Sequence, residues 1–350
     1  MRLPALDELA CPHCLGPLEP SGSFEPDLQE GTLRCRGEGL AFPVSAGVPQ
    51  LVRLDRAAQV AAFAESYSKA WQSDGWGSLD ASYLLNLPHR DTTGRQAARW
   101  RFKARTMWAL FDLLDSMRLH RFLDLGAGVG WLSHQLASRG HEVYAMDIVR
   151  DRVLGLAAAE VYLQVGPHFE RVWGELERPP FRTESMDAIV CNASLHYASS
   201  LSEAVCEIHR ILVPKGVLFV LNSPVYWSAN DASRTEADFR KRLRDLGANE
   251  DVASTYHHFT RNDLESVLSG TIGPVREVPF DPGSLFRLVR AAKGFVLRTE
   301  LASFPLLVAQ KTADGELMKM MEKQVTSGGR SEQPTRRARR SHVSQIGQRR

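Results

Sequence analysis

The stretch Phe122-Leu-Asp-Leu-Gly-Ala-Gly-Val-Gly130 holds the residues best suited to chemistry. An apolar run feeds a glycine turn, and a helical pattern follows. With no Cβ in the way, such a turn lets backbone N–H groups and a helix N-terminus approach a polar ligand. Twenty-three positions after Asp124, the apolar run Val143-Tyr-Ala-Met ends in Asp147. An acid at the tip of the second strand of a βαβ unit is placed to accept hydrogen bonds from ribose hydroxyls. Each feature alone has a plainer reading, a tight turn and a strand-end cap. Their joint spacing predicts a nucleoside-containing cofactor.

The glycines fall at 126, 128 and 130, so the third comes one residue earlier than in the dinucleotide fingerprint. This pattern resembles the turn of class I S-adenosylmethionine-dependent methyltransferases, in particular the methyltransferase-11 type. Three later segments carry the same resemblance. Trp173-Gly-Glu-Leu-Glu-Arg-Pro-Pro-Phe181 is similar to the family's segment after the third strand. Met186-Asp-Ala-Ile-Val-Cys-Asn-Ala-Ser-Leu-His196 is similar to its fourth strand and the loop beyond. Ile208 to Leu221 is similar to the helix, turn and fifth strand that follow. The resemblance implies S-adenosyl-L-methionine as cofactor. Asp124, Gly126, Ala127, Gly128 and Gly130 would contact it from the first turn, and Asp147 and Ile148 from the end of the second strand. Glu175 and Leu176 would follow the third strand, with Glu175 on the adenine amino group. Asn192 and Ala193 would follow the fourth. A fold of this kind that has lost its cofactor is the other reading.

A sulfonium methyl group is already activated, so the protein has mainly to align the acceptor and exclude water. A general base is needed only for an acceptor protonated at working pH. His196, in the loop after the fourth strand, is the catalytic candidate; its plainer reading is packing. Tyr197, Tyr226, His257 and His258 are weaker candidates, and Cys191 reads as a small core residue.

Nearer the N-terminus, Cys11-Pro-His-Cys14 is a C-x-x-C knuckle, and Leu33-Arg-Cys35 supplies a third thiol. Thiolates at i and i+3 of a turn can share one Zn²⁺, which a second knuckle normally completes. The text from Cys35 to Val52, with Phe42-Pro-Val and Gly47-Val-Pro, resembles the Trm112-like zinc-ribbon domain. Glu38 stands where that family has a fourth cysteine. The metal set would then be Cys11, Cys14, Cys35 and Glu38; His13, inside the first knuckle, is awkwardly placed to join them. The alternative is a ribbon without metal, held by Leu33, Phe42, Val44, Val48 and Leu51 and leaning on its neighbour.

The elements that must position these residues follow from periodicity. Ala57–Trp71 and Ala97–Met117 carry apolar residues at helical spacing, with Gly75, Gly77 and Pro88 between them. Phe63 to Trp71 resembles the helix that closes over the cofactor in small-molecule methyltransferases, with Tyr67 either touching cofactor or packing. Arg99, Arg101, Lys103 and Arg105 interleave on the second helix, as a solvated face or as one facing an acidic ligand. From 120 onward we expect strands 121–125, 142–147, 169–173, 186–191 and 216–222. Helices 130–139, 151–164 and 201–211 alternate with them. Helices Asp231–Leu246, Thr260–Leu268 and Pro282–Lys293 and strands Val275–Phe280 and Phe304–Gln310 complete the set, with Thr260 and Asp263 spaced as a capping box. Alternation of this kind predicts an α/β fold: a doubly wound, Rossmann-like, seven-stranded methyltransferase sheet with a small N-terminal zinc-ribbon-like β module. The expected domains are 1–54 (zinc-ribbon module), 55–118 (helical cap), 119–313 (methyltransferase domain) and 314–350 (disordered basic tail).

Composition narrows the function. The 350 residues are 43% hydrophobic and carry a net charge of +2. Residues 330–350 hold seven Arg and one Glu, a net +6, which leaves 2 − 6 = −4 for the rest. A mildly acidic body gives no support for a nucleic-acid surface. The tail is either an RNA-tethering arm or a solvated extension. Five cysteines, an odd number, argue against a disulfide framework. No run is apolar and long enough for a transmembrane helix, and the N-terminus lacks a secretory core, so a cytoplasmic protein is expected. The expected function is S-adenosylmethionine-dependent methyl transfer to a small molecule (quinone, lipid or secondary metabolite). Methylation of rRNA or tRNA is the alternative, and a non-catalytic scaffold the second.

Overall fold

The computed structural model describes residues 1–22, 27–297 and 301–311. The expected basic tail lies outside them.

Four short strands open the chain: β1 (Leu18–Gly22), β2 (Gly31–Cys35), β3 (Ala41–Ser45) and β4 (Val48–Pro49), paired antiparallel in that order. On β3 only Phe42 and Val44 are buried, the alternation of a sheet with one wet face. Three helices follow: α1 (Ala57–Ser73), α2 (Ala81–Asn86) and α3 (Ala97–Leu114). Asp80 caps α2 by accepting from Ser82 N. That short helix lies within the stretch 55–118 expected to be helical, although it has no periodic signal of its own.

The second layer alternates strand and helix: β5 (Arg121–Leu125), α4 (Trp131–Ala137), β6 (Glu142–Asp147), α5 (Glu160–Val165), β7 (Glu170–Trp173), β8 (Met186–Asn192), α6 (Leu201–Ile211) and β9 (Leu212–Leu221). A two-residue strand β10 (Val225–Tyr226) precedes α7 (Ala229–Asp245) and α8 (Glu250–Thr255). Then come β11 (Phe259–Thr260), α9 (Arg261–Thr271), β12 (Val275–Val278), α10 (Ser284–Leu297) and β13 (Leu306–Gln310). The large sheet runs β12-β13-β9-β8-β5-β6-β7. Strand β13 alone is reversed, pairing antiparallel with both β12 and β9, while the remaining strands from β9 to β7 pair parallel, giving the seven-stranded, doubly wound sheet that the sequence predicts. Strands β5 and β8 lie side by side although two helices and two strands separate them in sequence. There the strand order reverses, which places a ligand crevice beyond their carboxyl ends.

Three local expectations change. Helix 151–164 is broken: Asp151 accepts from Val153 N and Leu154 N, a 3-10 turn spans Leu156–Ala159, and only then does α5 begin. Gly155 is the reason, since a Cβ there would lie 2.4 Å from Val149 C and O. The fifth strand starts at Leu212 rather than 216, continuing straight from α6. Helix α8, capped by Asn249, was missed. The capping box is present: Thr260 Oγ1 accepts from Asp263 N at 3.1 Å.

The N-terminal sheet does not stand apart. Leu9, Leu28, Leu33 and Phe42 share one core with Tyr144, Met146, Val172 and Phe181. Leu51 N donates to Trp173 O at 2.9 Å, and Gln50 pairs parallel to Trp173, so the segment after β4 lines the β7 edge. Covering an edge removes its unpaired backbone groups. Glu170 on β7, 2% exposed, accepts from Arg2 Nε at 2.8 Å, and Arg171 donates to Ala46 O at 2.8 Å.

Candidate functional site

Strand β5 ends at Leu125, and the chain must turn into α4 within five residues. Gly126 makes this possible. It has φ +83, and a Cβ there would lie 2.2 Å from Ser194 Cβ. Gly126 N and Ala127 N both donate to Met146 O, at 2.9 and 3.0 Å, which stitches the turn to β6. Gly128 N instead donates to Asp147 Oδ2 at 2.7 Å, and Val149 N donates to Oδ1 at 2.7 Å. The two carboxylate oxygens thus bridge the tips of β5 and β6. Burial pushes the Asp147 pKa up to about 6, against those backbone bonds.

Asp124 is 1% exposed and accepts from Ser133 Oγ at 2.7 Å. Its Oδ1 has no hydrogen-bond partner, and burial raises its pKa to about 7. Gly130 does not face a ligand; a Cβ there would press on Ala159 and Phe169 at 3.1–3.3 Å, so it is a packing glycine.

A cavity of about 610 Å³ opens over this corner, within the usual range for small-molecule sites. Gly126, Ala127, Gly128, Asp147, Ile148, Leu176, Asn192, Ala193 and His196 all line it. Asn192 is held by Asn222, whose Nδ2 donates to Asn192 Oδ1 at 2.7 Å, and Asn222 in turn meets Thr106 Oγ1. Thr106 and Asn222 were not singled out from sequence, because they are far apart in the chain and carry no motif.

Asp124, Gly130 and Glu175 are the expected cofactor residues absent from the lining. The Glu175 carboxylate accepts from Arg56 Nε at 2.8 Å. The expected contact to an adenine amino group is therefore not prepared in this geometry. The loop is fixed from the other side as well: Arg178 donates to the Pro12 and His13 carbonyls, 2.7 Å each, gripping the cysteine knuckle.

His196 is 5% exposed, with Nδ1 3.2 Å from Ser223 Oγ. Burial, aided by the charges of His258, Lys103 and His257, drives its pKa down to about 3. The ring is neutral at any ordinary pH. It can accept a hydrogen bond from an acceptor hydroxyl but is a weak base. His257, His258 and Tyr226 are not part of the lining. Cys191 is fully buried and burial raises its thiol pKa strongly, as a core residue requires.

The rest of the cavity is aromatic. Tyr67 and Trp71 of α1, Trp76, Trp100 of α3, Phe239 of α7 and Tyr256 face it. Tyr67 meets Tyr197 edge-on at 5.2 Å, and Tyr256 stacks on Phe239 at 4.1 Å. Six such residues come from four regions of the chain. Helical periodicity marks them as buried but cannot say that they bury a cavity.

The cysteines form a separate centre. The Cys11, Cys14 and Cys35 sulfurs lie within 4.8 Å of one another, Cys14 and Cys35 at 3.4 Å. Glu38 does not join them, which corrects the four-ligand expectation. Its backbone N–H approaches the Cys35 sulfur while the side chain is exposed. His13 is also turned away, accepting from Leu54 N at 3.0 Å through Nε2. Three thiols suit a thiophilic ion such as Zn²⁺; among the described residues no fourth His, Cys, Asp or Glu completes the set.

A doubly wound sheet in β12-β13-β9-β8-β5-β6-β7 order, with a glycine corner and a strand-tip aspartate, defines a methyltransferase-type α/β protein. Comparison with known proteins agrees. Residues 123–220 match the methyltransferase domain family, and residues 5–47 match the Trm112p-like protein family. The chain thus carries a methyltransferase domain over residues 123–220 and a Trm112p-like domain at its N-terminal end. Among curated relatives, it is 31% identical over 166 residues to a malonyl-[acyl-carrier protein] O-methyltransferase of Enterobacter lignolyticus, covering 47% of this chain and 59% of that protein. It is 32% identical over 120 residues to an uncharacterized methyltransferase of Mycobacterium bovis, covering 34% and 44%. The chain thus spans less than two-thirds of the length of these relatives. Among solved structures, a SAM-dependent methyltransferase from Methanosarcina mazei superposes with a TM-score of 0.40 at 18% identity, covering 57% of this chain and 96% of that one.

Proposed function

We propose that the protein transfers a methyl group from S-adenosyl-L-methionine to an apolar small molecule. One observation carries this reading: the glycine corner and Asp147 open into the same cavity as an aromatic chamber. The donor, when bound, supplies an activated methyl group. Gly126 and Ala127 shape the corner against β6, and Asp147 has acceptor capacity left for ribose hydroxyls. Asn192, fixed by Asn222, and the neutral His196 ring present polar atoms to the reacting end of an acceptor. The aromatic walls exclude water and hold an apolar body in one orientation, which is where most of the rate gain in such a reaction arises. Cys11, Cys14 and Cys35 would hold a structural metal that stiffens the knuckle gripped by Arg178. No helix among the described residues is long and apolar enough to cross a membrane.

The test has two arms. Calorimetry with S-adenosylhomocysteine should give one binding event per chain; no heat would leave the scaffold reading in place. Incubation with a methyl-labelled donor should then label a component of a metabolite and lipid extract. Label found only in total RNA would establish the nucleic-acid alternative instead.

A further inference from the structure

Lys103 is the side chain whose position the methyl-transfer reading leaves unused. It lies on α3, one helical turn beyond Arg99, and lines the cavity. Its ammonium sits 5.3 Å from the ring centres of both Trp76 and Trp100. Arg99 is engaged, donating to Gln96 Oε1 at 2.9 Å and pairing with Asp74 at 3.2 Å. The Lys103 ammonium has no ion-pair or hydrogen-bond partner among the described residues. Of the acids, Asp124 acts on it through space, but no hydrogen bond joins the two, and Asp124 Oδ2 accepts from Ser133.

A cation held in an apolar enclosure without a counter-ion is unfavourable. Two indole faces compensate in part and fix the ammonium in place. What they cannot supply is a hydrogen-bond acceptor, and Lys offers three donors. The geometry points to an acid group on the methyl acceptor as the missing partner: an apolar, ring-sized body bearing a carboxylate or acidic phenol that Lys103 anchors. The walls support the same class of molecule, since Tyr67, Trp71, Tyr256 and Phe239 offer flat apolar faces. The ammonium is framed by two indoles of the aromatic chamber, which favours the acceptor over the donor even though Asp124, two residues before the glycine corner, also acts on it through space. Burial and Arg99 lower its pKa to about 8, so it is largely charged at neutral pH. The inference deepens the proposed function and rests on it.

The experiment compares two probes of nearly equal shape, 2-naphthoic acid and 2-naphthylmethanol, on full-length protein with and without saturating S-adenosylhomocysteine. Quenching of tryptophan fluorescence reports entry, because Trp71, Trp76, Trp100 and Trp131 line the cavity. Native protein should bind the acid at least about tenfold tighter than the alcohol, as a charge-assisted bond in a desolvated site allows. Lys103→Met should remove that preference and leave the alcohol unchanged, and Lys103→Arg should keep part of it. The comparison on native protein needs no variant, so it holds even if a variant misfolds. Native protein that does not favour the acid, including one that binds neither probe, overturns the inference. So does a Lys103→Met protein that keeps its preference, or that loses S-adenosylhomocysteine affinity instead, which would assign the ammonium to the donor's carboxylate. Failure of native protein to bind S-adenosylhomocysteine is a separate result: it refutes the methyl-transfer reading, while the arm without it still reports on Lys103.

Discussion

Asp147 gives the sharpest test of the cofactor corner. Its carboxylate accepts two backbone N–H bonds at 2.7 Å. An ionised carboxylate has about four acceptor sites, so about two remain for a pair of ribose hydroxyls. Protonation removes one of these and turns an acceptor into a donor. A diol that donates twice therefore selects the ionised form. Burial puts the Asp147 pKa at about 6. S-adenosylhomocysteine affinity should then be flat above about pH 7 and fall towards tenfold per pH unit below 6, with about one carboxylate in ten ionised at pH 5. Calorimetry from about pH 5 to 8 in buffers of differing ionisation enthalpy would show both the trend and the proton released on binding. Asp147→Asn should bind about tenfold or more weakly at pH 7.5 and lose most of the slope. Asp124, with its pKa raised to about 7, titrates nearby, and any slope that survives in the Asn variant belongs to it. Affinity that is constant across the range, or a slope undiminished in Asp147→Asn, would refute the assignment of Asp147 to the ribose. Stability has the opposite sign. A carboxylate whose folded pKa lies above its unfolded value stabilises the fold below the unfolded value. That contribution is lost as pH rises through the folded one, so stability should fall between about pH 4 and 7 by roughly 3 kcal/mol for Asp147 alone.

Four further outcomes follow from the geometry. Gly126→Ala must place a Cβ 2.2 Å from Ser194 at φ +83; left-handed strain and overpacking together should cost about 2–5 kcal/mol in denaturant melts, with S-adenosylhomocysteine affinity reduced at least about tenfold. Glu175→Gln breaks the Arg56 pair, whose cation is 46% exposed, so stability should fall by no more than about 1 kcal/mol. Its cofactor affinity should change less than about threefold; a larger loss in calorimetry would return Glu175 to the adenine. His196→Asn should lower kcat by less than about tenfold, because a group with a pKa near 3 is a poor base; a loss of about a hundredfold or more in a labelled-methyl assay would make it one. Cys14→Ser should abolish any zinc found by metal analysis of native protein. It should also loosen the Arg178 loop, seen as faster amide exchange at 174–178.

Sequence determined what depends on residues close together in the chain. The glycine turn with Asp147, the alternation of strand and helix, and the C-x-x-C knuckle are local patterns, because backbone conformation and periodicity are local physics. That is why the sheet, most of its strand limits and most cavity-lining residues around Gly126 to Ala193 are legible. What the tertiary structure alone decided depends on which distant groups meet. Glu175 reads as an adenine contact, and only the fold shows Arg56, 119 positions away, paired with its carboxylate outside the cavity lining. Glu38 has the spacing of a ligand, yet the turn that points its amide at Cys35 sends its side chain outward. Lys103 sits in a run of basic residues that alternation makes look solvated. Only packing of Trp76 and Trp100 around it turns one of those charges into the interior of a cavity, since charge pairing and enclosure are properties of the folded surface and leave no period in the chain.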